Sequence, residues 1–148
     1  YYGGYHPELG LILRQSAEKG FTAKFMGPEG VGNKDISAIA GKASEGMYVT
    51  MLKKYDQDPA NAKLVDAFKA KKQDYSGPFV WTTYAAIQAL SAGINAAGEE
   101  PADVAKYLRA NKVDTVMGPL EWSATGDLKN FKFGVYQWHA DGSSSVLQ

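Results

Sequence analysis

The sequence contains no cysteine, which excludes a thiolate nucleophile, a disulfide framework and a Cys-based zinc site. The lack of disulfides says little about compartment, because many exported proteins of this size have none. Neither charge is in surplus. Sixteen basic side chains balance sixteen acidic ones, which argues against a generic nucleic-acid binder, since such a protein needs excess positive charge to displace phosphate counterions. Histidine is scarce: His6 and His139 lie far apart and form no H-x₃-H pair. No G-x-S-x-G nucleophile elbow accompanies them, so structural or surface roles are expected for both. Long hydrophobic runs are also missing. The longest uncharged stretch, Ser76 to Gly98, is rich in Ala and interrupted by Thr82, Thr83, Gln88, Ser91 and Asn95. It reads as a buried helix of a soluble core, surrounded on most sides, and not as a membrane span. The opening Tyr1-Tyr2-Gly3-Gly4 has no Met, no basic n-region and no apolar h-region, so a processed chain or a fragment is expected.

What is present is an ordinary globular composition. With 148 residues, 45% apolar and 22% charged, the chain can enclose one sizeable core or two small ones. Its first third predicts strand–helix–strand–helix–strand, the pattern of a parallel α/β sheet. Tyr1-Tyr2 ends a strand, Pro7 opens a helix that Gly20 stops, and Ala23–Met26 forms the next strand. A brief helix over Asp35–Ala40 and a strand over Met47–Leu52 follow. The middle third predicts three successive helices, starting at Asp58-Pro59, after Ser76-Gly77-Pro78 and at Pro101. They have no strand between them, so they are expected to pack on a sheet encoded outside these residues. The last third predicts short strands over Thr115–Met117 and Leu120–Trp122, joined across Gly118-Pro119. A longer strand over Phe131–His139 carries aromatics on both faces, and Ser143–Gln148 is expected to be a polar tail.

One loop invites chemistry. Gly27-Pro28-Glu29-Gly30-Val31-Gly32 follows a predicted strand, but it lacks the G-x-G-x-x-G spacing of a dinucleotide site. A carboxylate stands where phosphate would sit, and no P-loop lysine is present, so nucleotide binding is disfavoured. Glu29 suits a cation instead. A carboxylate at the C-terminal end of a parallel strand occupies the ligand position of open α/β sheets, and a bound ammonium would neutralise it. Composition alone favours a solvated loop glutamate. Tyr5 could reach the same crevice, although a rim tyrosine is the commoner role. Phe79, at the start of the central helix, is the aromatic near enough to a helix end to face a cleft. Asp56-Gln57-Asp58 begins like a calcium loop but is broken by Pro59, so a helix cap is expected.

Longer runs carry a resemblance. Tyr1-Tyr2-Gly3-Gly4-Tyr5-His6-Pro7-Glu8, Phe25-Met26-Gly27-Pro28-Glu29-Gly30-Val31 and Tyr55-Asp56-Gln57-Asp58-Pro59-Ala60-Asn61 match one family. Phe79-Val80-Trp81-Thr82-Thr83-Tyr84-Ala85-Ala86 and Trp138-His139-Ala140-Asp141-Gly142 extend the match across the chain. The sequence resembles the C-terminal portion of leucine/isoleucine/valine-binding proteins, the periplasmic receptors of bacterial branched-chain amino-acid ABC importers. The resemblance implies an α/β, type I periplasmic-binding-protein fold, in which this chain forms parts of two Rossmann-like lobes joined by three crossings, with the N-terminal half missing. Residues 1–52 would belong to the C-terminal lobe, 53–130 would cross into the N-terminal lobe, and 131–148 would return.

By position, Glu29 corresponds to the family's partner for the ligand α-ammonium, Tyr5 to a tyrosine lining the ligand, and Phe79 to an aromatic against its aliphatic tail. The family's groups for the ligand carboxylate lie in the N-terminal lobe, outside these residues. The implied partners are leucine, isoleucine or valine, a membrane ABC permease reached through the complete protein, and the missing N-terminal half. No cofactor, metal, nucleic acid or catalysis is implied. The alternative is a non-binding structural or engineered half-protein that needs a complementary half or self-association. An enzyme on a related α/β scaffold is weaker still, because no activated nucleophile can be named.

Overall fold

The computed structural model describes residues 1–129 and 131–147. Asn130, the end of the expected 53–130 segment, and Gln148, the end of the expected tail, lie outside the described residues. In chain order the elements are α1 (His6–Glu18), β1 (Met26–Gly27), α2 (Asp35–Ala40), β2 (Tyr48–Met51) and α3 (Ala62–Ala70). There follow α4 (Val80–Ala97), α5 (Pro101–Ala110), β3 (Val113–Thr115), β4 (Gly118–Leu120), β5 (Gly134–Trp138) and β6 (Ser144–Leu147). They form two compact units, each mixed α/β. Unit 1 comprises Tyr1–Lys53, Ser76–Pro78 and the chain from Lys132 onward; unit 2 comprises Lys54–Tyr75 and Phe79–Phe131.

Unit 1 is built on a four-stranded sheet in the order β1-β2-β5-β6. Only β1 and β2 are parallel; β5 joins β2 antiparallel, and β6 joins β5 the same way. The sheet is therefore mixed, not the parallel one expected. The expected polar tail is in fact its edge strand β6. Two serines and an exposed Val146 carry little hydrophobic signal, but backbone pairing with β5 does not require one. Strand β1 is also shorter than expected, because Ala23, Lys24 and Phe25 precede it without ladder pairing. Tyr1-Tyr2 is not a strand either; Tyr2 N–H makes one bond to the Met26 carbonyl, 2.9 Å.

The core of unit 1 unites Leu9 and Leu13 of α1, Ile36 and Ala40 of α2, Val31, Met47, Val49 and Trp138. Helix α1 places Leu9 and Leu13 one turn apart on the buried face, and Gly20, at φ +70°, ends the segment in a conformation glycine adopts freely. Tyr136 and Trp138 of β5 are both buried, since residues two apart share a strand face, and Trp138 joins this core. The expected split of aromatics over both faces is thus corrected. Phe133, which suggested it, precedes the strand and is exposed. The Trp138 indole N–H donates to Ser37 Oγ at 3.0 Å, which satisfies the one polar atom of a buried ring.

In unit 2 the buried residues of α4 are Trp81, Ala85, Ala89 and Gly93, a stripe repeating every four residues. Small side chains let α5 approach closely. A Cβ on Gly93 would lie 2.8 Å from Val104 Cγ1. Ile87 remains 62% exposed, and Tyr84, Leu90 and Ile94 are also exposed, so α4 is not surrounded on most sides as expected. One narrow stripe is all that α5 and β3 cover. Among the described residues, no helix is long and apolar enough to cross a membrane.

Helix α3 begins after a 3₁₀ turn, Pro59–Asn61, and Asp58 caps that turn by accepting from Ala60 N–H at 3.1 Å. Asn61 is buried and donates to the carbonyls of Tyr55 and Val116, at 2.9 and 2.8 Å. The hairpin differs in register from the expectation. Thr115 pairs with Gly118, so the turn is Val116-Met117, and Gly118-Pro119 lies inside β4. Local hydrogen bonds decide this. Thr115 Oγ1 donates to the Gly118 carbonyl and accepts from Met117 N–H, while Gln88 of α4 accepts from Val116 N–H at 2.8 Å.

Candidate functional site

Strands β1 and β2 run parallel, so their C-terminal ends open on the same edge of the unit 1 sheet. Immediately after β1, Pro28 leads into a 3₁₀ turn, Glu29–Val31, closed by Val31 N–H to the Pro28 carbonyl and Gly32 N–H to the Glu29 carbonyl, 3.0 and 2.8 Å. Gly30, Val31 and Gly32 are buried, whereas Glu29 is half-buried. The turn thus buries most of its backbone and leaves Glu29 partly exposed.

Tyr5 closes one side of this turn. It is the N-cap residue of α1 and is 63% exposed. Its ring lies directly over Gly30, where an added Cβ would meet Tyr5 Cδ1 at 3.1 Å. Tyr5 and Glu29 are thereby brought together at one end of unit 1. Phe79 belongs to unit 2, where it is the N-cap residue of α4, half exposed, with its carbonyl accepting from Thr83 N–H and Thr82 Oγ at 3.0 Å each. Trp81, by contrast, is core: its ring meets Phe68 at 6.2 Å and its N–H donates to the Tyr75 carbonyl.

Burial pushes the Glu29 carboxyl above its ordinary pKa. No cation among the described residues lies within ion-pairing distance of it. A half-buried carboxylate without a charge partner, on the turn that follows a parallel strand, is equipped to accept an ammonium group. One residue at this edge escaped notice in the sequence. Met51, the last residue of β2, packs against Gly32. Its signal was its place at the end of the strand parallel to the one that leads into Glu29.

His139 has a different surrounding. Its Nδ1 lies 3.0 Å from Glu45 Oε1 and its Nε2 lies 3.1 Å from Ser145 Oγ, the connectivity of a hydrolytic triad. The rest of such a site is not built. The nearby amides that would have to stabilise an oxyanion are already committed: Ala140 N–H to Glu45, Gly142 N–H to the His139 carbonyl and Ser143 N–H to Asp141. The cluster instead clasps the β5–β6 turn to Glu45. Among the described residues, no group of three or more His, Asp and Glu is arranged to hold a metal.

This clasp gives a pH dependence. The Ala140 amide and the His139 side chain hold Glu45 below its ordinary pKa of 4.5, and Ser143 does the same for Asp141. A carboxyl with a lowered folded-state pKa stabilises the fold above its unfolded value, and that contribution disappears as pH falls through the folded value. Glu45→Gln keeps an acceptor for Ala140 but loses the charge. Urea titrations are expected to show this variant less stable than the parent at neutral pH, with the gap closing in acid. A gap that does not change with pH would count against the clasp.

Comparison with known proteins agrees with this architecture. Residues 1–143 match the family model described as periplasmic binding protein. The Leu/Ile/Val-binding protein of Escherichia coli K12 is 62% identical over 145 residues, covering 98% of this chain and 39% of that protein. The leucine-specific-binding protein of Salmonella typhimurium is 60% identical over 149 aligned positions, covering all of this chain and 40% of that protein. The chain therefore spans about two fifths of the length of these relatives. Among solved structures, a leucine-binding protein from Thermotoga maritima superimposes with a TM-score of 0.81 at 23% identity, covering 99% of this chain and 42% of that one. A Streptococcus pneumoniae branched-chain amino-acid transporter substrate-binding protein, solved with isoleucine, gives 0.71 at 21% identity and covers 98% and 43%. At these identities the two structures establish a shared fold. By sequence and by fold, the chain belongs to the periplasmic binding protein family.

Proposed function

We propose that this chain is part of a periplasmic receptor that captures leucine, isoleucine or valine and delivers it to a membrane ABC permease, without catalysis. The observation that carries this reading is Glu29: a half-buried carboxylate with raised pKa, no cation within reach among the described residues, and Tyr5 beside it. A zwitterion with a branched apolar tail has the ammonium this carboxylate requires, and the names of relatives at about 60% identity agree with it. In this reading Glu29 pairs with the α-ammonium, Tyr5 lines the ligand from the same side, and Phe79 faces its aliphatic tail. Unit 1 is taken as part of the C-terminal lobe and unit 2 as part of the N-terminal lobe.

Each lobe is completed by chain lying on the N-terminal side of these residues. The exposed apolar stripe on α4, Tyr84, Ile87, Leu90 and Ile94, fits a missing complementary surface, since a sheet packed there would bury it. The test is calorimetry on the full-length receptor with leucine and with 4-methylpentanoate, which has the same tail and carboxylate but no ammonium. Leucine is expected to bind and the analogue to fail. Equal binding of the two would remove the assigned role of Glu29.

A further inference from the structure

The Glu29 turn is gripped at both of its glycines. Tyr5 covers Gly30 from α1, as described above. On the other side, a Cβ added to Gly32 would fall 2.5 Å from Met51 Sδ and 3.2 Å from Met51 Cγ, and 3.1 Å from the Glu29 carbonyl. Gly32 has φ −75°, so its backbone could accept any side chain; what it lacks is room. Met51 fills that room. It packs against the unit 1 core, and its backbone is anchored by the β2–β5 ladder, opposite Gly134. The Gly32 amide in turn donates to the Glu29 carbonyl at 2.8 Å, so the residue that Met51 presses upon is bonded to the residue that carries the carboxylate.

Building on the binding role assigned to Glu29, we propose that Met51 is a positioning residue for ligand capture: its thioether, seated on Gly32, sets the height of the Glu29 turn and hence where the carboxylate meets the ligand ammonium. A binding group held on a three-residue turn is only as well placed as the packing beneath it. Two glycines are needed here for the same reason. Each admits a large side chain from a neighbouring element, Tyr5 at Gly30 and Met51 at Gly32, directly onto the turn backbone. Met51 itself need not touch the ligand. Its effect passes through Gly32 to Glu29.

A double-mutant cycle on the full-length receptor tests this, with leucine affinity read by calorimetry and folding by urea titration. Met51→Ala is expected to weaken leucine binding about 10-fold, and the loss is expected to shrink in the Glu29→Gln background, because both residues act through the same turn. Met51→Leu, which keeps the volume, is expected to retain affinity. Gly32→Ala is the second probe should Met51→Ala fold poorly. It is expected to weaken binding alone and to recover when combined with Met51→Ala, whose cavity admits the new methyl. Unchanged affinity in Met51→Ala, or an undiminished loss in the Glu29→Gln background, overturns the proposal. If Glu29→Gln alone leaves leucine affinity unchanged, the binding role of Glu29 fails first and the proposal falls with it.

Discussion

Replacing Glu29 by alanine in the full-length receptor is expected to weaken leucine binding by about 2–4 kcal/mol, which is roughly 30- to 700-fold in the dissociation constant. Burial already disfavours the ionised carboxylate in the free protein, as its raised pKa records. A bound ammonium would offset that cost and replace the water the ligand cation loses on entry. Without Glu29, the same cation would be desolvated with no partner, and the penalty falls on the bound state alone. Glu29→Gln should be intermediate, since an amide oxygen still accepts a hydrogen bond but carries no net charge.

The sign of the pH dependence follows from the same geometry. The folded pKa of Glu29 is raised, so protonation competes with the ligand ammonium. Leucine affinity should fall as pH drops through that value, and this acid limb should be missing in Glu29→Gln. Calorimetry across pH on both proteins checks the point. A Glu29→Ala receptor that binds leucine as well as its parent would reject the assignment.

The isolated 148-residue chain is expected to bind leucine more weakly than about 1 mM. Glu29 and Tyr5 address only the ammonium side of the ligand, and in the proposed receptor the groups for its carboxylate lie outside these residues. Where neither proposed lobe is complete enough to exclude water, a cation held at one half-exposed carboxylate resembles a surface ion pair worth about 0–1 kcal/mol. Most of the affinity of a hinged receptor comes from enclosing the ligand, and enclosure needs both walls. Titration of the isolated chain with leucine reads this directly. A micromolar constant would show that these residues suffice alone and would remove the case for a second wall.

Local chemistry explains which elements were readable. Pro7 and Gly20 bracket α1, Asp35–Ala40 is α2 residue for residue, and Pro101 opens α5, because caps and breakers act within a few residues. The misreadings share a cause. Strand β6 has no hydrophobic alternation and exists through its ladder to β5. The β3–β4 turn falls two residues earlier than Gly118-Pro119 suggests, and Gln88 of α4 captures Val116 N–H there. Helix α4 looked enclosed because it carries no charged residue, yet only its four-residue stripe is buried. Backbone pairing, side-chain hydrogen bonds and the extent of helix contact made these choices, and hydrophobic patterning does not record them.

For the site, the sequence by itself determined the charge type: a glutamate between glycines after a strand, with no phosphate-binding signature, can serve as a cation partner or stand as a solvated loop residue. Tertiary structure decided what surrounds it. Tyr5 had to be carried over Gly30 by α1, and Met51 had to be brought to Gly32 by β2, before the turn had a fixed position. Tyr5 lies 24 residues before Glu29 and Met51 22 after it, separations that only the pairing of β1 with β2 and the docking of α1 close. Charge type is a property of a residue, whereas placement and desolvation belong to its neighbours, and the neighbours are set by the fold.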